Sequence, residues 1–141
     1  MQLSEHFSLY EFTRSDTAKA HGWKNDPGQA EIEWMIYLCV HVLEPLRAFL
    51  GRPVVISSGY RSPKLNDAVG GVSASQHMYG QAADIGIMNE SEGKKIMSWL
   101  RQNKYVNKAL FERSRKTGRR WIHIATAACP VGYFNDNYPA K

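Results

Sequence analysis

Cysteine is scarce in this 141-residue chain: only Cys39 and Cys129 are present. They lie far apart and form no C-x-x-C pair, which excludes zinc-ribbon and dithiol redox motifs. Both are expected as buried thiols, with a disulfide between them as the alternative. No apolar run approaches the ~18 residues of a membrane span, so insertion into a bilayer is not expected. The opening "MQLSEHFSLYEF" has neither a basic start nor an apolar core of about 7 to 15 residues, so no secretory signal is expected either. On that reading the protein is made in the cytoplasm, and work outside it needs another exit route. Internal repeats, low-complexity segments and linkers are also lacking. That leaves a single domain, residues 1–141, within the usual range of about 100 to 200 residues.

What is present is an ordinary globular composition, 43% hydrophobic and 22% charged. Eighteen Lys and Arg against thirteen Asp and Glu give a net charge of +5, which favours anionic partners such as wall polymers, membrane surfaces or nucleic acid.

Ser8 followed by Glu11 has the form of a capping box, predicting a helix from Leu9 that ends before His21-Gly22. Asp26-Pro27 places a cap and a first-turn proline ahead of a long helix. Its apolar positions, Ile32, Met35, Ile36, Cys39, Val40, Leu43, Leu46 and Leu50, recur at steps of three and four until Gly51 stops it. Pro45 is a candidate kink. "RPVVISSGY" is β-branched and ends in a glycine turn, predicting a strand and a loop. "SPKLNDAVGG" suits a brief helix capped by Ser62. "AADIGI" reads as a strand, "NESEGKKIMSWLRQN" as an amphipathic helix, and "KALFERS" with "RRWIHIATA" as two strands around "RKTG". The tail "CPVGYFNDNYPAK" is turn-rich and is assigned no element.

Chemistry concentrates in "SASQHMYGQAADIGI", where His77 and Asp84 stand seven positions apart with Gly80 between them. A neutral imidazole and an ionised carboxylate both suit zinc, and a catalytic zinc site takes three protein ligands and keeps one position open. The alternative is two ordinary polar residues, one on a loop and one leading a strand. A third ligand is offered by His123 in "RRWIHIATA". On a strand, Trp121, His123 and Ala125 share one face while Ile122 and Ile124 share the other. His123 then points into a cleft or simply into solvent. A turn centred between Thr117 and Gly118 sets Glu112 opposite His123, beside the candidate metal, where a general base would stand. A slip of one residue would move it to the other face. The competing role for Glu112 is a surface charge balancing Arg113, Arg115 or Arg120. Arg61, after a strand and a glycine turn, could clamp a carboxylate bidentately or stand as an unliganded loop residue. The basic hairpin "ERSRKTGRR" is either a solvated turn or an attractor of an anionic polymer.

"SSGYRSPKLNDAVGGVSASQHMYGQAADI" followed by "WIHI" resembles the zinc D-alanyl-D-alanine carboxypeptidases and the related L-alanyl-D-glutamate endopeptidases, which cut peptidoglycan stem peptides. The resemblance rests on S-G-Y-R-S, on S-x-H-x-x-G-x-A-x-D from Ser75 to Asp84, and on W-x-H at Trp121 to His123. With "HFSLYEFTRSDTA" and "VLEPLR" it covers residues 6 to about 127. Its nearest branch is the compact single-domain peptidases often seen in phages and bacteria. It implies an α+β fold, a small antiparallel sheet flanked by helices, shared with the hedgehog signalling domain. It also implies one Zn²⁺ per chain held by His77, Asp84 and His123, with Arg61 on a substrate carboxylate. Ser75, inside the signature, would contact substrate or order the loop. Many relatives carry the catalytic acid three residues before the last histidine, a position filled here by Arg120. In the nearest branch a Glu ends the preceding strand in a segment like "ALFERS", which makes Glu112 the candidate base.

The implied reaction is zinc-dependent amide hydrolysis in a peptidoglycan stem peptide, as a carboxypeptidase or an endopeptidase. The site of action would be the cell wall or periplasm after release, as for a phage lysin. A monomer is expected, without nucleic acid as partner. The competing reading is a non-catalytic zinc module that binds a wall or a protein. A nucleic-acid-binding domain, suggested only by the charge, is a more distant one.

Overall fold

In a computed structural model, residues 1–126 and 132–140 are described; Cys129 lies outside them. A capping box does open the first helix: Ser8 Oγ accepts from Glu11 N, and Glu11 returns a carboxylate to Ser8 N. The helix is short, α1 (Leu9–Thr13), because Arg14 turns extended and Ser15 caps a second one, α2 (Asp16–His21). The expected single helix is thus two.

The long apolar segment starts at α3 (Gln29–Leu38), two residues beyond Asp26-Pro27, with Glu31 accepting from Gly28 N at 2.9 Å. It runs through a π-turn (Cys39–Leu43) into α4 (Glu44–Leu50), where Gly51 closes it in the left-handed conformation. The irregularity sits against Pro45, which has no N–H to give to the carbonyl four residues back. That carbonyl, His41 O, is satisfied instead by Asn103 Nδ2 at 3.2 Å.

Next come β1 (Ile56–Ser58), α5 (Pro63–Ala68, capped by Ser62), a 3₁₀ turn (Gln76–Tyr79), β2 (Ala82–Ile85), α6 (Glu90–Arg101), β3 (Lys108–Ser114), β4 (Arg120–Ala125) and β5 (Tyr133–Ala140). The five strands form one sheet in the order β1-β2-β4-β3-β5. Four are antiparallel neighbours. β5 lies parallel to β3, so the tail given no element by its sequence forms the sheet edge.

Alternation along the strands gives the sheet two different faces. Ala83, Ile85, Ala109, Phe111, Ile122 and Ile124 face a core filled by Met35, Leu38, Val42, Leu43, Leu46, Ile96, Met97 and Leu100 from α3, the π-turn, α4 and α6. Fully burying a side chain of this kind contributes about 1.5 to 3 kcal/mol. Cys39 is a free thiol inside this core, as expected, and burial pushes its pKa up. The opposite face carries Asp84, Leu110, Glu112, Trp121 and His123, which line a cleft.

Candidate metal centre

Two neighbouring strands bring the acid and one imidazole together. Asp84 on β2 is directly opposite His123 on β4, and His123 Nδ1 lies 3.0 Å from Asp84 Oδ1. His77 arrives from the 3₁₀ turn, with Nε2 3.3 Å from the same oxygen. All three residues are buried, and their ligand atoms lie within 4.8 Å of one another. Among the described residues this is the one cluster of its kind.

The turn that delivers His77 is built locally. Ser75 Oγ accepts from His77 N at 3.2 Å, capping the 3₁₀ turn. Gly80 ends it with φ +74°, and a Cβ there would stand 2.2 Å from Glu31 O of α3. Only glycine combines that left-handed φ with so close a backbone approach. The loop after β1 locks onto the same turn: Arg61 N donates to His77 O at 3.1 Å, and His77 Nδ1 donates to Gly59 O at 2.6 Å.

That last bond fixes the tautomer. With the proton on Nδ1, a neutral His77 ring turns the lone pair of Nε2 toward the Asp84 carboxylate. Lone pair against an ionised oxygen is repulsive unless a proton or a cation stands between them. Two imidazoles and one carboxylate beside an open cleft form the donor set of a catalytic zinc site, and these residues fit such an ion. Burial alone would push the Asp84 carboxyl up, but with protons on the two facing imidazoles their charge and hydrogen bonds outweigh it and hold the group well below the usual carboxylate range. Asp84 is therefore ready to ligate as an anion.

Arg61 reaches the rim, its Nη2 3.6 Å from Asp84 Oδ2, while Nε and Nη1 donate to Ser58 Oγ and Asn66 Oδ1. Glu112 lines the same cleft of about 510 Å³, held by a 3.0 Å hydrogen bond from Trp121 Nε1. Burial and the charge of Asp84 push its pKa up, against smaller opposing effects from His123, Trp121 and Arg61.

The hairpin register differs from the expected one. The turn is Arg115–Gly118, with Gly118 left-handed at φ +75°, so Leu110 and not Glu112 faces His123, while Glu112 pairs with Trp121. The displacement is two residues. Because the side-chain period of a strand is also two, Glu112 keeps the face of His123. Arg120, at odd separation from His123, lies on the other face, against the Phe111 ring and Glu90. It takes no place in the cleft.

Three cleft residues escape a reading by motif. Trp121 was visible as part of W-x-H, but not as the donor to Glu112. Tyr138 enters from the unassigned tail, and Lys108 enters only once the order of strands is known.

Fold and cluster together set three side chains that could hold a metal ion on one face of a small sheet. The chain belongs to the peptidase M15 family, whose model matches residues 5–125. It is also similar to the zinc D-Ala-D-Ala carboxypeptidase of Streptomyces albus G, at 47% identity over 45 residues. That stretch is 31% of this chain and spans only 18% of the Streptomyces protein. No helix of the described residues is long and apolar enough to cross a membrane.

Proposed function

We propose that this protein is a zinc-dependent peptidase that hydrolyses amide bonds in peptidoglycan stem peptides, as a D-Ala-D-Ala carboxypeptidase or an L-Ala-D-Glu endopeptidase. The observation that carries the reading is the convergence of His77, Asp84 and His123 in one cleft with Glu112, inside a chain of the peptidase M15 family. The likeness to a zinc D-Ala-D-Ala carboxypeptidase supports the substrate class.

His77, Asp84 and His123 would hold the ion. Zinc, when bound, supplies Lewis acidity that polarises a scissile carbonyl and acidifies water. Glu112 takes the proton of the attacking water and passes it to the departing amine. Trp121 keeps one Glu112 oxygen occupied, which fixes the carboxylate and leaves the other oxygen for the water. Arg61, immobilised by Ser58 and Asn66, holds a substrate carboxylate and so places the amide over the ligands. Ser75 acts through His77, as the cap of the turn that carries it. A wall-lytic role of the phage type is the setting this activity suits.

The test is incubation with isolated peptidoglycan, with chelator and then with zinc restored, and mass spectrometry of the products. Zinc-dependent release of free D-alanine identifies a carboxypeptidase, and new L-alanine carboxyl ends identify an endopeptidase. Absence of products from several wall types, with zinc demonstrably bound, overturns the reading.

A further inference from the structure

The order of the strands places charge around the metal centre in an asymmetric way. Asp84 and His123 sit on β2 and β4, the middle of the sheet, while Arg61 follows β1 on one side and Lys108 opens β3 on the other. β1 and β3 are three strand spacings apart, roughly 14 Å at the backbone. Lys108 shares its face with Leu110, which stands directly opposite His123, so it lies about 7 Å along the strand from the ligand's neighbour. It is half-buried and lines the same cleft as the three ligands.

The other charges in that cleft are engaged. Asp84 faces His77, His123 and Arg61, Glu112 accepts from Trp121, and Arg61 is spread over Ser58, Asn66 and Asp84. Lys108 alone among the described cleft residues is a charged side chain with no ion pair or hydrogen bond from its head group. A half-buried ammonium without a partner loses hydration and gains nothing in return, unless a ligand brings the opposite charge.

We infer that Lys108 is a second carboxylate anchor, so that the cleft selects peptides in which the residue preceding the two that flank the scissile amide carries a free side-chain carboxylate. The inference rests on the peptidase reading, in which Arg61 holds the carboxylate beyond that bond. With Arg61 on one flank and Lys108 on the other, the amide between the two carboxylates lies over His77, Asp84 and His123. A dipeptide unit spans about 7 Å, and the side chains of lysine, arginine and the acidic residue cover the remainder of the gap. Recognition at Lys108 selects against peptides that lack the side-chain carboxylate, because without it the Lys108 ammonium stays unpaired.

The test uses two zinc-loaded peptide assays that differ in one group: an acyl-X-D-Ala-D-Ala series in which X carries either a free side-chain carboxylate or the corresponding carboxamide. The wild-type protein should show a KM at least about fivefold lower for the acidic peptide. Lys108→Met should abolish that preference by raising KM for the acidic peptide, and Lys108→Arg should restore it. Equal KM values for the two peptides in the wild type, or the same preference in Lys108→Met, overturn the anchor and leave the peptidase reading standing. Calorimetric binding of both peptides to the zinc-loaded protein separates the two ideas from the other side. An acidic preference in Kd that vanishes in Lys108→Met supports the anchor even without turnover, and failure to bind either peptide overturns it.

Discussion

Among the individual residues, Glu112 carries the sharpest chemical consequence, because none of the three proposed metal ligands is altered when its charge is removed. Glu112→Gln keeps the size of the side chain and can still accept from Trp121 Nε1, so the cleft is expected to stay intact. Removing a positioned general base lowers a rate by about 10² to 10⁴. The variant should therefore bind zinc with wild-type stoichiometry, measured by metal analysis after dialysis, and hydrolyse stem peptides at least about 100-fold more slowly. Wild-type rates in Glu112→Gln would remove Glu112 from the reaction, and loss of zinc would make it a part of the metal site. At this scale the sequence was legible for a physical reason: a glycine at φ +74° between His77 and Asp84, and a histidine opposite an apolar strand face, are local features. The exact partner of Glu112 was not local. It depended on how many residues the turn takes, and Arg115–Gly118 takes one arrangement among several that "RKTG" allows.

At the scale of elements, α4 is tied to the chain's beginning by one carboxylate. Glu44 accepts from Ser4 Oγ at 2.6 Å, from His6 N at 2.7 Å and from His6 Nδ1 at 2.7 Å, holding the segment before α1 on the helix. Burial raises the Glu44 pKa, but these donors outweigh it, and the net shift is below the ordinary value of 4.5. A carboxyl whose folded pKa is lowered contributes stability that is fully present above its unfolded pKa and is lost as pH falls through the folded one. Glu44→Gln should thus cost about 1 kcal/mol at neutral pH. In denaturant titrations the gap from wild type should narrow as pH falls below 4.5 toward about 3. A gap of equal size at pH 3 and pH 7 would mean that charge is not what holds the segment. Legibility at this scale was uneven. Apolar spacing found the α3–α4 segment and α6, yet across the π-turn Cys39–Leu43 the buried series departs from it: Val40 of the expected stripe is exposed and Val42 enters the core instead. Arg14-Ser15 concealed a second cap inside what reads as one helix. β5 was missed because "YFNDNYPA" is rich in residues that strands disfavour, and its pairing with β3 spans a crossover that no local pattern encodes.

For the whole molecule, the proposed metal centre would be a tie between parts of the chain that are otherwise joined by loops. His77 comes from the 3₁₀ turn held against α3 through Gly80, Asp84 from β2 and His123 from β4. An unfolded chain does not bring these three groups together, so an ion that binds only the folded form stabilises it by mass action, by about 2.7 kcal/mol at a hundred times its Kd. One kcal/mol moves the melting point of a domain this size by roughly 2 to 4 °C. Restoring zinc to chelated protein at that excess should raise the melting temperature by roughly 5 to 10 °C, read by calorimetry. His123→Ala should lose nearly all of the rise. So should Asp84→Asn, which keeps the shape of the side chain but removes the anion that faces both imidazoles. A full zinc-dependent rise in both variants would place the ion elsewhere and detach the cleft from metal chemistry. A rise in the wild type alone would mean that one ion joins the turn and the two central strands, so that the same three residues serve stability and reaction.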